Sequence, residues 1–266
     1  MECDPSLAID LDKVFAAKGI RLPRLAVRWL EKFFHLDEIN EFLVRGYEGV
    51  EFCRQGLSYL DVSLQVEGLE NVPSDGRFTF VSNHPLGAID GVAIGALIGE
   101  RFDGRIRYLL NDFLMNVKGI APICVGINMV GSQNSNLPEL VDGAFNSDNQ
   151  MILFPAGLCS RLIDGEVRDL PWSKAFITKS VAAGRDVVPI HFIAENSRRF
   201  YRIANLCRKL GLKVNLAMAC LPDEMFRARH GTFKVVIGKP IPYGTFDNSK
   251  TPVQWAQWVR GKVYSL

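Results

Sequence analysis

The sequence predicts an α/β protein: a mixed, largely parallel sheet flanked by helices, with an N-terminal helical segment ahead of it. Three features point there. The apolar period changes from three-to-four to two near Tyr59. Beyond that point short β-rich runs alternate with helical ones, the pattern of strands joined by crossover helices. A composition of 48% hydrophobic and 23% charged residues supplies a packed core and excludes disordered and fibrous classes. At 266 residues the chain fits one large domain with a helical extension, divided as 1–56 and 57–266.

From Asp4 to about Gly56 the pattern is helical, with Leu7, Leu11, Val14 and Phe15 at three-to-four spacing, then Leu25, Trp29, Leu30, Phe33 and Phe34 after Pro23. On the second helix Arg24, Arg28 and Lys32 recur every four residues, away from the aromatics. Such a basic amphipathic helix suits either a core-packed element with a solvated charged face or contact with a membrane surface. Next, Leu60, Val62, Leu64 and Val66 alternate. Strands are expected at 60–66, 77–82, 105–110, 121–127, 150–154, 187–192, 213–219 and 233–238, and helices at 88–99, 137–146, 173–183, 198–210 and 252–264.

Charge and cysteine usage narrow the function. With 31 basic and 29 acidic residues the chain carries +2, too little for a nucleic-acid partner. The local exception is 195–234, where nine Lys/Arg face Glu195, Asp223 and Glu224, a net +6. A segment of this charge suits an acidic partner or anionic lipid, or is a solvated helix face. Six scattered cysteines form no C-x-x-C pair and no zinc spacing, which fits a reducing cytoplasm and no metal. The first residues carry acids where a signal peptide would be basic and then apolar. Asp90 interrupts the apolar run 85–98, and Asn111, Asp112, Asn116 and Lys118 interrupt 106–131, so no segment reads as a membrane span. The chain could still lie on a bilayer surface.

Two motifs carry chemistry. The β-run Arg77 to Val81 ends in Ser82, Asn83, His84, Pro85, Leu86, Gly87, Ala88, Ile89, Asp90 and Gly91, and a helix follows. Open α/β sheets place their sites at such strand ends. His84 and Asp90 lie six apart, so a folded-back turn lets the carboxylate hold one ring nitrogen and leaves the other as a base. Asn83 offers an amide beside it. The second motif follows the apolar run Met151 to Phe154, with Pro155, Ala156, Gly157, Leu158, Cys159, Ser160 and Arg161. A Pro-x-Gly turn here would present backbone N–H groups, Ser160 and Arg161 to an oxyanion or acidic headgroup.

Together these motifs resemble the glycerolipid (lysophospholipid) acyltransferase superfamily across about residues 60–242. Asn83-His84 through Asp90 looks like the family's first block, Phe154-Pro155-Ala156-Gly157 through Arg161 like its third, and Val188-Pro189-Ile190 like its fourth. Gly119 to Asn128 falls where the acceptor-binding second block belongs. The resemblance implies acyl transfer from an acyl-carrier-protein or coenzyme A thioester to a lysolipid hydroxyl, by a peripheral protein on the cytoplasmic membrane face and with no other cofactor. The basic segment 195–234 could then receive the acidic carrier protein, the coenzyme A phosphates or anionic lipid. His84 would be the base and Asp90 its partner; Asn83, Gly87, Phe154, Pro155, Gly157, Ser160 and Arg161 would bind substrate. Cys159 is read as a bystander, nothing marking it as an activated thiolate.

The chain departs from the family pattern in three ways. Five residues, not four, separate His84 from Asp90; Ala156 stands where the family has Glu; and the second-block region lacks the Arg that meets an acceptor phosphate. The longer spacing and the Pro-Leu-Gly turn resemble the hemolysin-like bacterial branch, which includes enzymes that O-acylate lyso-ornithine and related amino-acid lipids. Missing phosphate ligands fit a phosphate-free acceptor, whose carboxylate Arg161 could meet. Other readings are a 1-acylglycerol-3-phosphate acyltransferase, a hydrolase using Ser82 or Ser160, disfavoured by the missing G-x-S-x-G elbow, and a non-catalytic lipid-binding protein. His35, His191 and His230 are expected to be structural.

Overall fold

The computed structural model describes residues 3–17, 19–111, 115, 117–127, 137–211 and 216–266. The chain opens with four helices, α1 (Leu11–Ala17), α2 (Arg24–Phe33), α3 (Leu36–Leu43) and α4 (Gly49–Tyr59). Pro23 precedes the first turn of α2, and His35, in the left-handed region at φ 51°, breaks the chain between α2 and α3. The helical segment therefore continues past Gly56, and α4 lies along α5 (Ala88–Arg101) of the α/β body. Small residues permit that approach. A Cβ on Gly99 would fall 2.4 Å from Val50, and one on Gly95 2.8 Å from the Cys53 sulfur.

Seven strands form the main sheet: β1 (Ser63–Glu67), β2 (Phe78–Ser82), β3 (Ile106–Asn111), β4 (Cys124–Ile127), β5 (Gln150–Leu153), β8 (Asp186–Ile193) and β9 (Thr232–Ile237). Two three-residue strands, β6 (Arg161–Ile163) and β7 (Glu166–Arg168), pair separately as an antiparallel hairpin. The order in the main sheet is β1-β9-β8-β2-β5-β3-β4, and among the described residues only its β8–β9 pairing is antiparallel. This is the mixed, largely parallel α/β sheet that alternation of strands and helices predicted.

Side-chain alternation along each central strand builds two cores. Phe80, Ile152, Val188, Ile190 and Phe192 face α5 together with Ile89, Ile94 and Ile98. Val81, Met151, Leu153 and Val187 face the other layer, made by α6 (Leu137–Asn146), α7 (Ala175–Ala183) and α10 (Pro252–Val263). A third cluster gathers Cys159 with Phe200, Tyr201 and Ala204 of α8 (Arg198–Lys209), and Ala217 and Cys220 of a 3-10 turn.

That turn corrects one expectation. Residues 212–215 lie outside the described residues, and Leu216–Cys220 is a 3-10 helix, not the end of a strand over 213–219. Ala217 and Cys220, three apart, share one buried face against α8, the eclipsed spacing a 3-10 turn produces. The helix α9 (Leu221–Arg227) that follows, and the β6–β7 hairpin, went unpredicted because each is too short to show a period. The expected strand at 121–127 is a 3-10 turn over Ala121–Ile123 and then β4.

Candidate active site

β2 lies between β5 and β8, all three parallel, so the loops leaving their C-terminal ends meet. The loop after β2 carries His84. Asp90, at the third position of α5, folds that loop back: Oδ2 accepts the N–H groups of Leu86 at 2.9 Å and Gly87 at 3.3 Å, and Oδ1 that of Gly91 at 2.8 Å. An acid in a first helical turn also meets the positive end of the helix dipole. The same Oδ1 lies 3.1 Å from His84 Nδ1, in contact though off the line of a well-formed hydrogen bond. Asp90 is fully buried, whereas the His84 side chain keeps 18% of its surface exposed. The imidazole is thus open on one side and backed by the Asp90 carboxylate on the other.

Phe154, the first residue after β5, is stacked on the His84 ring at 4.2 Å between centroids, and Tyr108 is stacked beyond Phe154 at 6.5 Å. The Tyr108 hydroxyl donates to Gly91 O at 2.6 Å, tying this aromatic column to the start of α5. Burial disfavours the charged imidazolium most, but the Asp90 carboxylate, with Asp169 adding, outweighs it and raises the His84 pKa above the ordinary value of 6.5.

The remaining residues singled out from the sequence divide by what they touch. Pro155 is buried, and Gly157 turns the chain at φ 68°, its N–H spent on Phe154 O at 2.9 Å. Ser160 is buried and donates its N–H to His84 O at 2.8 Å, so this turn grips the His84 loop instead of presenting that donor outward. Gly87, at φ 87°, packs where a Cβ would lie 3.0 Å from the Cys159 sulfur and 3.2 Å from Leu221. The Asn83 amide is engaged twice with Phe192 of β8, accepting from its N–H at 2.7 Å and donating to its carbonyl at 2.9 Å. It clamps β2 to β8 directly below His84.

Arg161 is buried; its Nη1 donates to the carbonyls of Cys159 and Ser160 and its guanidinium lies 5.7 Å from the Phe200 ring. Its charge reaches His84, where it opposes protonation. Burial pushes the Cys159 thiol far up, which keeps it protonated. Of the other histidines, His35 pairs with Asp223 at 3.2 Å and His230 with Asp61 at 2.7 Å, while His191 meets the Tyr264 ring at 5.4 Å and burial lowers its pKa. Gly119 through Ile127 forms a turn, a 3-10 helix and β4; Asn128 lies outside the described residues.

Asp169 was missed. Its carboxylate accepts from Ser160 Oγ at 2.6 Å, Trp172 Nε1 at 2.8 Å and the His84 N–H at 3.2 Å. Asn196, whose amide donates to Pro85 O at 2.8 Å, was missed as well. An Asp three residues before a Trp, with Leu170 and Pro171 between, is the one local hint that Asp169 is a buried acid.

An open α/β sheet bearing an acid-backed, partly open histidine at the ends of its parallel strands has the geometry that proton transfer to and from a substrate requires. The family model described as Acyltransferase matches residues 12–266, and the chain belongs to that acyltransferase family. It is 51% identical over 272 residues to the lyso-glycine lipid O-acyltransferase of Bacteroides thetaiotaomicron, with 100% of both chains covered. Identity to the lyso-glycine lipid O-acyltransferase of Phocaeicola vulgatus is 49% over 272 residues, 100% of this chain and 98% of that one. The solved 1-acyl-sn-glycerophosphate (LPA) acyltransferase of Thermotoga maritima shares the fold at a TM-score of 0.51 and 18% identity, over 97% of this chain and 89% of that one.

Proposed function

We propose that this acyltransferase moves a fatty acyl group from an acyl-carrier-protein or coenzyme A thioester to the hydroxyl of a lyso-amino-acid lipid, a lyso-glycine lipid above all, at the cytoplasmic face of the membrane. The single observation that carries the chemistry is His84, partly open, with Asp90 Oδ1 3.1 Å behind its Nδ1. The acceptor class follows the names of the two relatives at about half identity over the whole chain.

In this mechanism His84 Nε2 takes the acceptor hydroxyl proton as the oxygen attacks the thioester carbonyl. Asp90 stabilises the imidazolium. Collapse of the tetrahedral intermediate forms the ester, breaks the C–S bond and releases a thiolate, which takes the proton back from His84. A glycine headgroup ends in a carboxylate, which Arg161 is suited to meet without a phosphate site.

The membrane contact is read from α2. Leu25 is 81% and Trp29 63% exposed, on a helix whose Arg24, Arg28 and Lys32 are also exposed. Apolar side chains beside cations suit the interface of an anionic bilayer. Among the described residues no helix is long and apolar enough to cross one. Of the basic stretch, Arg199 and Arg227 are paired with Asp223 and Lys234 with Glu67, whereas Arg198, Arg202, Arg208 and Lys209 are exposed along α8, where a phosphate-bearing donor or an acidic carrier fits.

A serine hydrolase is disfavoured by burial: Ser82 turns to Asn83 and Ser160 to Asp169. The deciding experiment supplies both thioester types with lyso-glycine, lyso-ornithine and lysophosphatidate acceptors and follows ester product. Product from lyso-glycine lipid alone supports the reading. Preference for lysophosphatidate overturns the acceptor, and tight lipid binding without transfer overturns the enzyme.

A further inference from the structure

We propose that Asp169 is a positioning residue for the acyl-transfer step, fixing the His84 main chain and setting a second negative charge near the imidazole on a mount separate from Asp90. The inference rests on the proposed role of His84 as base.

Three hydrogen bonds form a closed ring. His84 N–H donates to Asp169 Oδ1, Ser160 Oγ donates to the same oxygen, and Ser160 N–H donates to His84 O. The loops after β2 and β5 are thereby joined through one carboxylate, 85 residues along the chain from His84. Trp172 Nε1 holds Oδ2. Indole and backbone N–H groups only donate, so each oxygen faces an obligate donor, the pattern of an ionised carboxylate. Burial opposes that ionisation and holds the Asp169 pKa above the ordinary carboxylate value, while the three donors together with His84 offset part of it.

The segment is gripped from outside as well. The Asp169 N–H donates to the Tyr264 hydroxyl at 2.8 Å and its carbonyl accepts from Arg260, while Gln257 exchanges hydrogen bonds with the Trp172 backbone N–H and carbonyl at 3.3 and 2.8 Å. Four residues beside the base are therefore clamped by the C-terminal helix. A solely structural acid would need no location near His84; this one contributes to the charge that favours its protonated form.

The test replaces the charge while keeping the shape. Asp169→Asn alone would set an amide against the Trp172 N–H, so it is made with Trp172→Phe and compared with Trp172→Phe by itself. The His84 imidazole is titrated by NMR, its resonance identified by loss in His84→Ala among the four histidines. The expected result is a His84 midpoint about one pH unit lower in the double variant than in Trp172→Phe, with kcat down about tenfold to a hundredfold and acceptor KM little changed. Equal midpoints in the two proteins overturn the proposal. Ser160→Ala opens the ring without removing the charge and is the second test should the double variant fail to fold; it lowers kcat severalfold, and an unchanged kcat overturns the proposal. The titration needs no turnover, so its outcome stands apart from the acceptor assay, in which absence of product from the wild type would defeat the functional reading itself.

Discussion

Asp90 Oδ2 closes a loop on two backbone N–H groups, while Oδ1 faces both a third N–H and the imidazole of His84. Removing the base and removing its backing should therefore differ. His84→Ala is expected to cut acyl transfer about a hundredfold to ten-thousandfold with thermal unfolding little changed, because the ring lies at the rim of the site. Asp90→Ala strands three donors as well, so it should lower activity and also cost about 1–3 kcal/mol in denaturant unfolding, or more if all three lose their partner. A destabilised but fully active Asp90→Ala would refute the assignment. The pH profile gives an independent check. Burial lowers the His84 pKa, but Asp90 and Asp169 together raise it above 6.5, and only neutral imidazole accepts a proton. Thus kcat/KM should climb with pH to a midpoint above 6.5. The raised pKa also contributes stability below the unfolded value that is lost as pH passes the folded one, so the conformation loosens slightly where activity rises.

At the scale of elements, the central strands were legible because both faces are buried. Phe78 through Ser82 and Gln150 through Leu153 read as short, mostly apolar β-rich runs between turn residues, and each is buried along its length. The inversion of β1 and β9 was not legible, since direction depends on which strands pair, and β1 pairs with β9 from the far end of the chain. Asp169 escaped for the same reason: its partners lie in two other loops. The His84–Asp90 relation was readable because one tight turn contains it. For α2 the sequence left two readings, and the proposed membrane contact rests on Leu25 and Trp29, which face outward while Val27 is buried. The paired change Leu25→Ser and Trp29→Ser should weaken sedimentation with phosphatidylglycerol vesicles at least tenfold and leave thermal unfolding within about 0.5 kcal/mol of wild type. Unchanged vesicle binding would assign α2 to the solvated class.

Across the whole molecule, the C-terminal helix joins the core to the segment that carries Asp169. Val259 and Val263 of α10 are buried in the cluster beneath Val81, Met151 and Val187, while Arg260 and Tyr264, about one turn apart on the same stretch, grip the backbone of Asp169. One segment thus contributes through packing with some residues and through the site with others, and substitutions should separate the two. Val259→Ala removes two buried methyl groups at roughly 0.8 kcal/mol each, so it should cost about 1.5 kcal/mol of stability and leave kcat near wild type at a temperature well below unfolding. Tyr264→Phe keeps the ring against His191 but leaves the Asp169 N–H without its acceptor, at about 1–3 kcal/mol. Its loss falls on the segment that holds His84, so kcat should drop severalfold even where the protein is fully folded. Chemical denaturation and steady-state kinetics on the two variants decide it. Equal kcat in both would mean that α10 supports the sheet alone and the grip on Asp169 does not reach the base.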